Sequence, residues 1–283
     1  MALAMRKLFA FLLVFAIVST FAAVVAREST ALQTDRVEIE YVAPKNAAHE
    51  RIYQLMRERK VLERFKEYLS PLRLPRILLL KLEGCDGEIN SWYADDAVTV
   101  CYEYLDNILQ HVPEQTTLTG MTRMDAVIGP LVDVFLHEVG HAVFDYNHVP
   151  ILGREEDAAD QFAAYLWLQS DKGDARRLLA GVVYEYARDA AAHSEKKNPF
   201  ADAHGLPMQR FYNVLCLAYG SDPKLFEQAV TDGRLPAERA EGCEDEYAQV
   251  KRAMTALIGP YIDEDLAKRV RSKQWFNFDE RSS

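Results

Sequence analysis

The chain is poor in positive charge. It has 33 Lys and Arg residues against 43 Asp and Glu residues, which gives a formal net charge of -10 over 283 residues. Residues 1–26 contain two of the positive charges, Arg6 and Lys7, and no acid, so the remainder has a formal net charge of -12 (-10 minus 2). Phosphate backbones and anionic lipid headgroups repel such a surface. We therefore expect neither nucleic acid nor an anionic membrane surface as a partner.

After its first 26 residues the chain lacks an apolar run long enough to cross a bilayer. The N-terminal run, Leu8–Val25, follows the basic pair Arg6-Lys7 and ends at the small residue Ala26, which is the pattern of a signal peptide. We predict a signal peptide over residues 1–26, cleaved after Ala26, although the run is also long enough for an uncleaved anchor helix. Either form predicts an exported protein, periplasmic or secreted, that touches a membrane only through such an anchor.

Cysteine is also scarce, and no two cysteines have the C-x-x-C spacing of a zinc-binding pair. In an exported chain an even number of cysteines indicates disulfides, so the four residues predict two bridges. Three pairings are possible. The pairing that closes the shortest loops joins neighbours in sequence: Cys85 with Cys101, and Cys216 with Cys243.

Only 7 histidines occur in the chain, yet two of them form an H-E-x-x-H pattern with Glu138: His137 and His141. Residues four apart lie on the same face of a helix, so both imidazoles can bind one metal ion. Glu138 can accept the proton of a water held by that ion. Apolar residues surround the pattern over 126–144, which favours a buried helix that starts or kinks at Pro130. The alternative is an ordinary core helix with two hydrogen-bonded histidines.

A third metal ligand is predicted in the next helix, whose first turn is acidic. Glu156 can complete a His/His/Glu zinc site and leave one position for water. Asp160, four residues later on the same face, can accept the free ring N–H of a ligand histidine. Glu155 and Asp157 are rival ligands, but neither is followed by an Asp four residues on. The alternative is a solvated helix start without a ligand.

The motif H-E-x-G-H followed by E-x-x-A-D resembles the gluzincin metallopeptidases, in which a Glu on a second helix is the third zinc ligand. Most of the chain after the signal segment is also similar to a family of exported bacterial metallopeptidases of unknown function. The resemblance implies one Zn²⁺ per chain and a set of site residues: ligands His137, His141 and Glu156, the general base Glu138, and Asp160 behind a ligand histidine.

Two further regions contribute weaker candidates. Asn90-Ser91-Trp92-Tyr93 resembles the Asn-Ala-x-aromatic edge strand with which gluzincins bind substrate backbone, with Ser in place of Ala, so Asn90 and Ser91 are candidate substrate-binding residues. A peptidase must also stabilise the oxyanion of its tetrahedral intermediate. His204 is our candidate, and its alternative is an ordinary loop histidine. The rival stabilisers are Arg210, Tyr212 and Tyr146.

The remaining pattern predicts an α+β, zincin-like architecture. Alternating apolar residues indicate a small twisted N-terminal sheet, which leads into the active-site helix and then a mostly helical half. We predict one metallopeptidase domain over residues 27–268, divided into 27–149 and 150–268, and a loosely held charged tail over 269–283. Glu185 and Asp189, four apart on a predicted helix, indicate a solvated acidic face rather than a second metal site.

These observations predict an exported, monomeric zinc peptidase whose substrate is a peptide or protein. Zinc would lower the pKa of a bound water to about 7, and Glu138 would move its proton. A different metal hydrolase is one alternative. The alternative from another class is a catalytically idle zinc-binding or partner-binding protein on the same scaffold. Retention of the base together with the ligands argues against it, because a protein that only binds zinc has no use for Glu138.

Overall fold

A computed structural model describes residues 35–115, 121–193 and 199–276. Their architecture is α+β, as predicted: a four-stranded sheet followed by mostly helical structure. The strands are β1 (Val37–Tyr41), β2 (Leu78–Glu83), β3 (Ser91–Ala94) and β4 (Ala97–Cys101). Their order across the sheet is β1-β2-β4-β3; β1, β2 and β4 are parallel, and β3 is an antiparallel edge strand. The predicted signal peptide lies outside the described residues.

Eleven α-helices lie in the described ranges. Three precede the motif helix: α1 (Glu50–Glu58), α2 (Val61–Tyr68) and α3 (Tyr102–Gln110). The next four are α4 (Asp125–Asn147), α5 (Glu155–Leu168), α6 (Lys172–His193) and α7 (Pro207–Ser221). The last four are α8 (Gln228–Thr231), α9 (Ala237–Ala240), α10 (Cys243–Leu257) and α11 (Glu264–Arg271). Short 3₁₀ turns cover Ala47–His49, Pro199–Ala201 and Gly259–Tyr261.

The hairpin that contains β3 and β4 turns at Asp95-Asp96, a pair of polar residues between two apolar runs. Both aspartates have positive φ, 49° and 62°, the left-handed conformation that a tight two-residue hairpin turn requires and that Asp tolerates. β3 then lies at the edge of the sheet, and both hairpin strands pack against α4. The start of β3 is thereby placed beside the H-E-x-x-H motif.

Helix α4 is the core of the molecule: 18 of its 23 residues are buried. It begins at Asp125, so Pro130 lies inside the helix and is not its first residue. By length and composition α4 could cross a membrane, so the expectation that the chain after residue 26 has no segment of this kind is wrong; the helix is, however, mostly buried within the domain. Burial of apolar surface inside the domain therefore accounts for its composition.

Two glycines set the crossing of α4 and α6. A Cβ at Gly129 would lie 2.6 Å from the Cα of Gly181, closer than real Cβ contacts. Only residues without a side chain allow the two backbones to approach this closely. The crossing brings the later turns of α6, with Glu185 and Tyr186, to the same cavity as the H-E-x-x-H motif.

The prediction of a loosely held tail over residues 269–283 is wrong for residues 269–276, which are held against the domain. Helix α11 continues to Arg271, and Trp275 and Phe276 are 5% and 2% exposed. The backbone N–H of Trp275 donates to the Asp174 carboxylate at 2.9 Å. Burial of two aromatic side chains outweighs the flanking charge, which had suggested solvent exposure. Residues 277–283 lie outside the described ranges.

Other helix bounds also differ from the predicted ones. The continuous helical spacing over residues 46–68 breaks at Lys60, which has a left-handed φ of 51°. Apolar spacing alone predicts one helix over residues 223–230 and another over residues 236–258; in the structure the first is reduced to α8 and the second is divided into α9 and α10. Residues 241–242 connect those two helices.

Both disulfides have the pairing of the shortest loops. Cys85 bridges to Cys101 with a Cα–Cα distance of 5.6 Å, and Cys216 bridges to Cys243 with a distance of 5.0 Å. The first connects the segment after β2 to the end of β4, and the second joins α7 to α10. The two bridges are consistent with folding in an oxidising, exported compartment.

Removing either disulfide is expected to lower the free energy of unfolding by about 2–4 kcal/mol, mainly because the unfolded chain gains freedom. The test is urea unfolding of Cys216→Ala/Cys243→Ala and of Cys85→Ala/Cys101→Ala beside the parent. The native parent should show no reactive thiol, since none of the four cysteines is free. Rapid reaction of two thiols in native protein would contradict the pairing.

Candidate metal centre

The H-E-x-x-H motif lies in the middle of the buried helix α4, where its two imidazoles share a face. The Nε2 atoms of His137 and His141 are 3.2 Å apart, and the ring centroids are 4.9 Å apart. The His137 side chain is 6% exposed and that of His141 is 15% exposed. Both Nε2 atoms therefore converge on one point at the inner wall of a cleft.

Glu156 in the first turn of α5 contributes a carboxylate oxygen to the same point. Its Oε2 lies 3.0 Å from His137 Nε2 and 3.3 Å from His141 Nε2. Tetrahedral zinc with bonds of about 2.0–2.1 Å holds its ligand atoms roughly 3.3–3.4 Å apart. Two imidazole nitrogens and one carboxylate oxygen at 3.0–3.3 Å therefore fit three corners of a zinc tetrahedron.

Close packing of α4 against α5 makes this arrangement possible. A Cβ at Gly140 would lie 3.2 Å from the Phe162 ring and 3.4 Å from the Cα of Ala159. Both contacts are tight, so small residues at 140 and 159 let the helices approach each other. The first turn of α5 is thereby brought beside the motif, although Glu155 in that turn stays half-exposed.

A carboxylate holds the outer nitrogen of each imidazole. His137 Nδ1 lies 2.8 Å from Asp160 Oδ1, as expected from the spacing of Asp160 after Glu156. His141 Nδ1 lies 2.8 Å from Glu155 Oε1. Glu155, a rival ligand candidate in the sequence, thus contacts the far side of the His141 ring, while Asp157 pairs with Arg154. Such partners fix the ring tautomer and leave Nε2 for a metal.

Arg210 supports Asp160 from behind, which the sequence did not indicate. Its guanidinium makes two bonds to the Asp160 carboxylate, at 2.7 and 2.6 Å, and lies over the Tyr186 ring at 4.6 Å. Tyr186 in turn donates to buried Asp133 at 2.9 Å. Arg210, considered above as an oxyanion stabiliser, is therefore committed to orienting Asp160 and, through it, His137.

The charges at the centre favour a cation. Burial lowers the pKa of His137, but the bonds to Asp160 and Glu156 outweigh it and raise the value to about 10. Burial also lowers the pKa of His141, but its hydrogen bonds with Glu156 and Glu155 outweigh that effect and raise the pKa. Bonds from His137, His141 and His204 hold the pKa of Glu156 well below its usual range. A metal ion would replace the protons that the imidazoles otherwise carry.

The candidate base Glu138 is 7% exposed and lies beside the ligands. Ser91 at the start of the edge strand β3 donates from its Oγ to Glu138 Oε1 at 2.9 Å. Asn90 accepts the backbone N–H of Ser91 through its side-chain oxygen at 2.9 Å. Ser91, the residue that departs from the gluzincin pattern, therefore positions the base directly.

A cavity of about 170 Å³ opens next to these groups. It is lined by residues of both halves: Asn90, Ser91, Tyr104, Asp133, His137, Glu138, Glu185, Tyr186, Asp189, His204 and Arg210. It lies between the sheet edge and the helical half of the domain.

The predicted solvated face at Glu185 and Asp189 is wrong for Glu185. This side chain is buried, 6% exposed, and pairs with Arg188, which also lies 3.0 Å from Asp189. Burial raises the pKa of Glu185. The crossing of α6 with α4 turns this part of α6 inward, and a helical i, i+4 spacing does not reveal that orientation.

His204, between the 3₁₀ turn Pro199–Ala201 and α7, contacts the centre. Its Nε2 lies 2.9 Å from Glu156 Oε2, and its ring stacks on His137 at 5.7 Å between centroids. Of the rival oxyanion stabilisers, Tyr146 donates to the carbonyl of Ile77 and Tyr212 packs edge-on against Phe211. The geometry thus favours His204 over its rivals for a role beside the ligands.

Asp160→Asn is expected to weaken zinc binding by roughly 10- to 100-fold, the usual effect of losing a charged partner of a ligand His. Asn is preferable to Ala because it keeps an acceptor for buried Arg210, and an unpaired buried charge is strongly destabilising. Chelator competition measures the affinity, and thermal unfolding checks the fold. Asp157→Asn, in the same turn but paired with exposed Arg154, is the control and should bind like the parent.

The comparisons with known proteins agree with this geometry. A model of the family described as "Putative metallopeptidase" matches residues 41–258, from the end of β1 to the end of α10, and this range includes every residue of the centre. No curated protein and no solved structure matches the chain. The matched range covers most of the chain, and the chain therefore belongs to this metallopeptidase family, as its two motifs indicated.

Proposed function

We propose that the protein is a zinc-dependent peptidase. The observation that carries the proposal is the triangle of His137 Nε2, His141 Nε2 and Glu156 Oε2, with edges of 3.0–3.3 Å, beside the buried carboxylate of Glu138. Two nitrogens and one oxygen form a donor set that suits zinc and leaves one position open. A protein that only stored the ion would not need a carboxylate at that position.

Zinc held by these ligands would lower the pKa of a coordinated water and polarise the peptide carbonyl. Glu138 acts as the general base: it takes the proton of the attacking water and then gives it to the leaving amine. The Ser91 hydroxyl holds one oxygen of Glu138, so the other oxygen stays directed toward the proton that it must move.

The edge strand β3 offers a binding surface for an extended peptide. Its outer side has no neighbour in the sheet of the described chain, so a substrate backbone can add there as a further strand. Asn90 and Ser91 then lie at the point where the peptide passes the base. His204, 2.9 Å from Glu156, is the residue that we assign to the oxyanion.

We further propose that the protein is a monomer that acts on peptides or proteins in the periplasm or outside the cell; the two disulfides support the exported location. Such a protein binds neither nucleic acid nor membrane, apart from an N-terminal anchor if that segment is retained. One Zn²⁺ per chain is the proposed cofactor.

A digest of a denatured-protein peptide library by the mature protein tests the proposal. We expect new cleavage products whose formation stops after chelation and resumes after one equivalent of Zn²⁺ is added. Mass spectrometry identifies the products and their preferred sequences. Cleavage that is indifferent to the chelator would contradict a metal mechanism, and no cleavage by zinc-loaded protein would favour an idle zinc-binding protein.

A further inference from the structure

His204 reaches the centre from a different element than the three assigned ligands. Its Nε2 lies 2.9 Å from Glu156 Oε2, closer than either histidine of the motif. The candidate ligand atoms of His137, Glu156 and His204 all lie within 4.8 Å of one another. Three imidazoles therefore surround the same carboxylate oxygen.

The 2.9 Å distance to Glu156 Oε2 suits one edge of a metal polyhedron as well as a hydrogen bond to a ligand, and the donor atoms of His204 and His137 lie within 4.8 Å of each other. The 2.9 Å separation lies close to the 3.0–3.3 Å edges of the triangle formed by His137, His141 and Glu156. Tetrahedral zinc requires a fourth donor at a similar distance, and in an open catalytic site that donor is water. An imidazole nitrogen can occupy the same corner.

Exposure and outer contacts distinguish His204 from the other ligands. The side chains of His137, His141 and Glu156 are 6%, 15% and 23% exposed, whereas His204 is 42% exposed. The outer nitrogens of His137 and His141 each lie 2.8 Å from a carboxylate, but His204 Nδ1 lies 3.4 Å from its Asp202 neighbour. The His204 imidazole is thus the one of the three held least firmly.

We propose that His204 is a displaceable fourth zinc ligand, which closes the centre at rest and leaves it when substrate enters the cleft. The proposal rests on the proposed function for its metal. Structural zinc sites bind four protein groups and catalytic ones keep a position for water. When a histidine held on a loop leaves the zinc, a closed structural site becomes an open catalytic one. The released imidazole then remains beside the position of the oxyanion.

X-ray absorption on the zinc-loaded mature protein counts the imidazoles directly. We expect three in the parent, and two plus an additional light-atom ligand in His204→Ala. A peptidyl hydroxamate binds zinc through its own oxygens, so adding it should reduce the number of imidazoles on the zinc of the parent from three to two. His148→Asn is the control, because His148 is exposed and has a left-handed φ of 49° that Asn tolerates.

Chelator competition gives a second readout. Zinc affinity should fall by roughly tenfold or more in His204→Ala, since losing even an outer partner of a ligand has effects of that size, and it should be unchanged in His148→Asn. Two imidazoles in the parent, together with equal affinities, would overturn the proposal. If His204→Ala does not fold, the imidazole count of the parent and its change on adding hydroxamate still test the proposal.

The failure of this inference is distinguishable from failure of the peptidase assignment. Two imidazoles in a preparation that cleaves peptides would contradict only the assignment of His204 as a fourth ligand. Three imidazoles in a preparation that cleaves nothing would support the fourth ligand and contradict the peptidase assignment. Protein that binds no zinc would overturn both.

Discussion

Glu138→Gln should abolish peptide hydrolysis while the protein still binds one zinc per chain. In the proposed centre Glu138 lies beside the ligands without being one, so the substitution leaves the triangle of His137, His141 and Glu156 intact. Gln has the same shape and can still accept the Ser91 hydroxyl, but it cannot take a proton. Loss of a positioned general base costs about 10²- to 10⁴-fold in rate.

The measurement combines kcat for a cleaved library peptide with zinc content by elemental analysis. Ser91→Ala is the matched variant, because it removes the contact to Glu138 but keeps the carboxylate; we expect a smaller loss of kcat than in Glu138→Gln. A Glu138→Gln protein that cleaves as fast as the parent would refute the mechanism. Loss of zinc from that variant would instead mean that Glu138 is a ligand.

The sequence predicted those parts of the site that depend on spacing along one helix. The four-residue separation of His137 and His141 places both rings on one face wherever the helix lies. The same argument selected Glu156 over Glu155 and Asp157, because Asp160 follows it by one turn. In the structure Asp160 contacts His137. The hairpin at Asp95-Asp96 and the α+β order are likewise local patterns.

Contacts between distant segments could not be predicted in this way. The bond from Ser91 to Glu138 joins residues 47 apart, and the pair of Arg210 with Asp160 joins residues 50 apart. Both depend on how β3 and α7 pack against the central helices. No periodicity records that packing, so the sequence indicates a substrate role for Ser91 only through the gluzincin resemblance, and it offers Arg210 only as a rival of His204 for the oxyanion.

Burial was misjudged where charged residues surround a few apolar ones. Trp275 and Phe276 lie in a charged segment, yet both are buried against α2 residues such as Tyr68. Glu185 has an acidic neighbour one turn later, yet it faces the cavity and pairs with Arg188. In both cases the position of a neighbouring element decides whether the side chain is buried, whereas composition describes only the local segment.

Glu156→Gln should cause the largest loss of zinc affinity among carboxylate variants of α5. Its Oε2 contacts all three imidazoles, at 3.0, 3.3 and 2.9 Å, and a neutral amide supplies neither the charge nor the basic oxygen of a zinc ligand. Loss of an outer partner costs about 10- to 100-fold, and loss of a ligand should exceed that.

Glu155→Gln is the matched control, because the two residues are adjacent in the first turn of α5 and the substitution is the same. Glu155 contacts only His141, through Nδ1 at 2.8 Å, and its side chain is 53% exposed. A Gln oxygen can still accept that N–H, so we expect a loss of roughly tenfold or less. Chelator competition under identical conditions gives both affinities. If Glu155→Gln lost zinc while Glu156→Gln kept it, the ligand assignment would be reversed, and the first turn of α5 would have to rotate toward the motif by one residue.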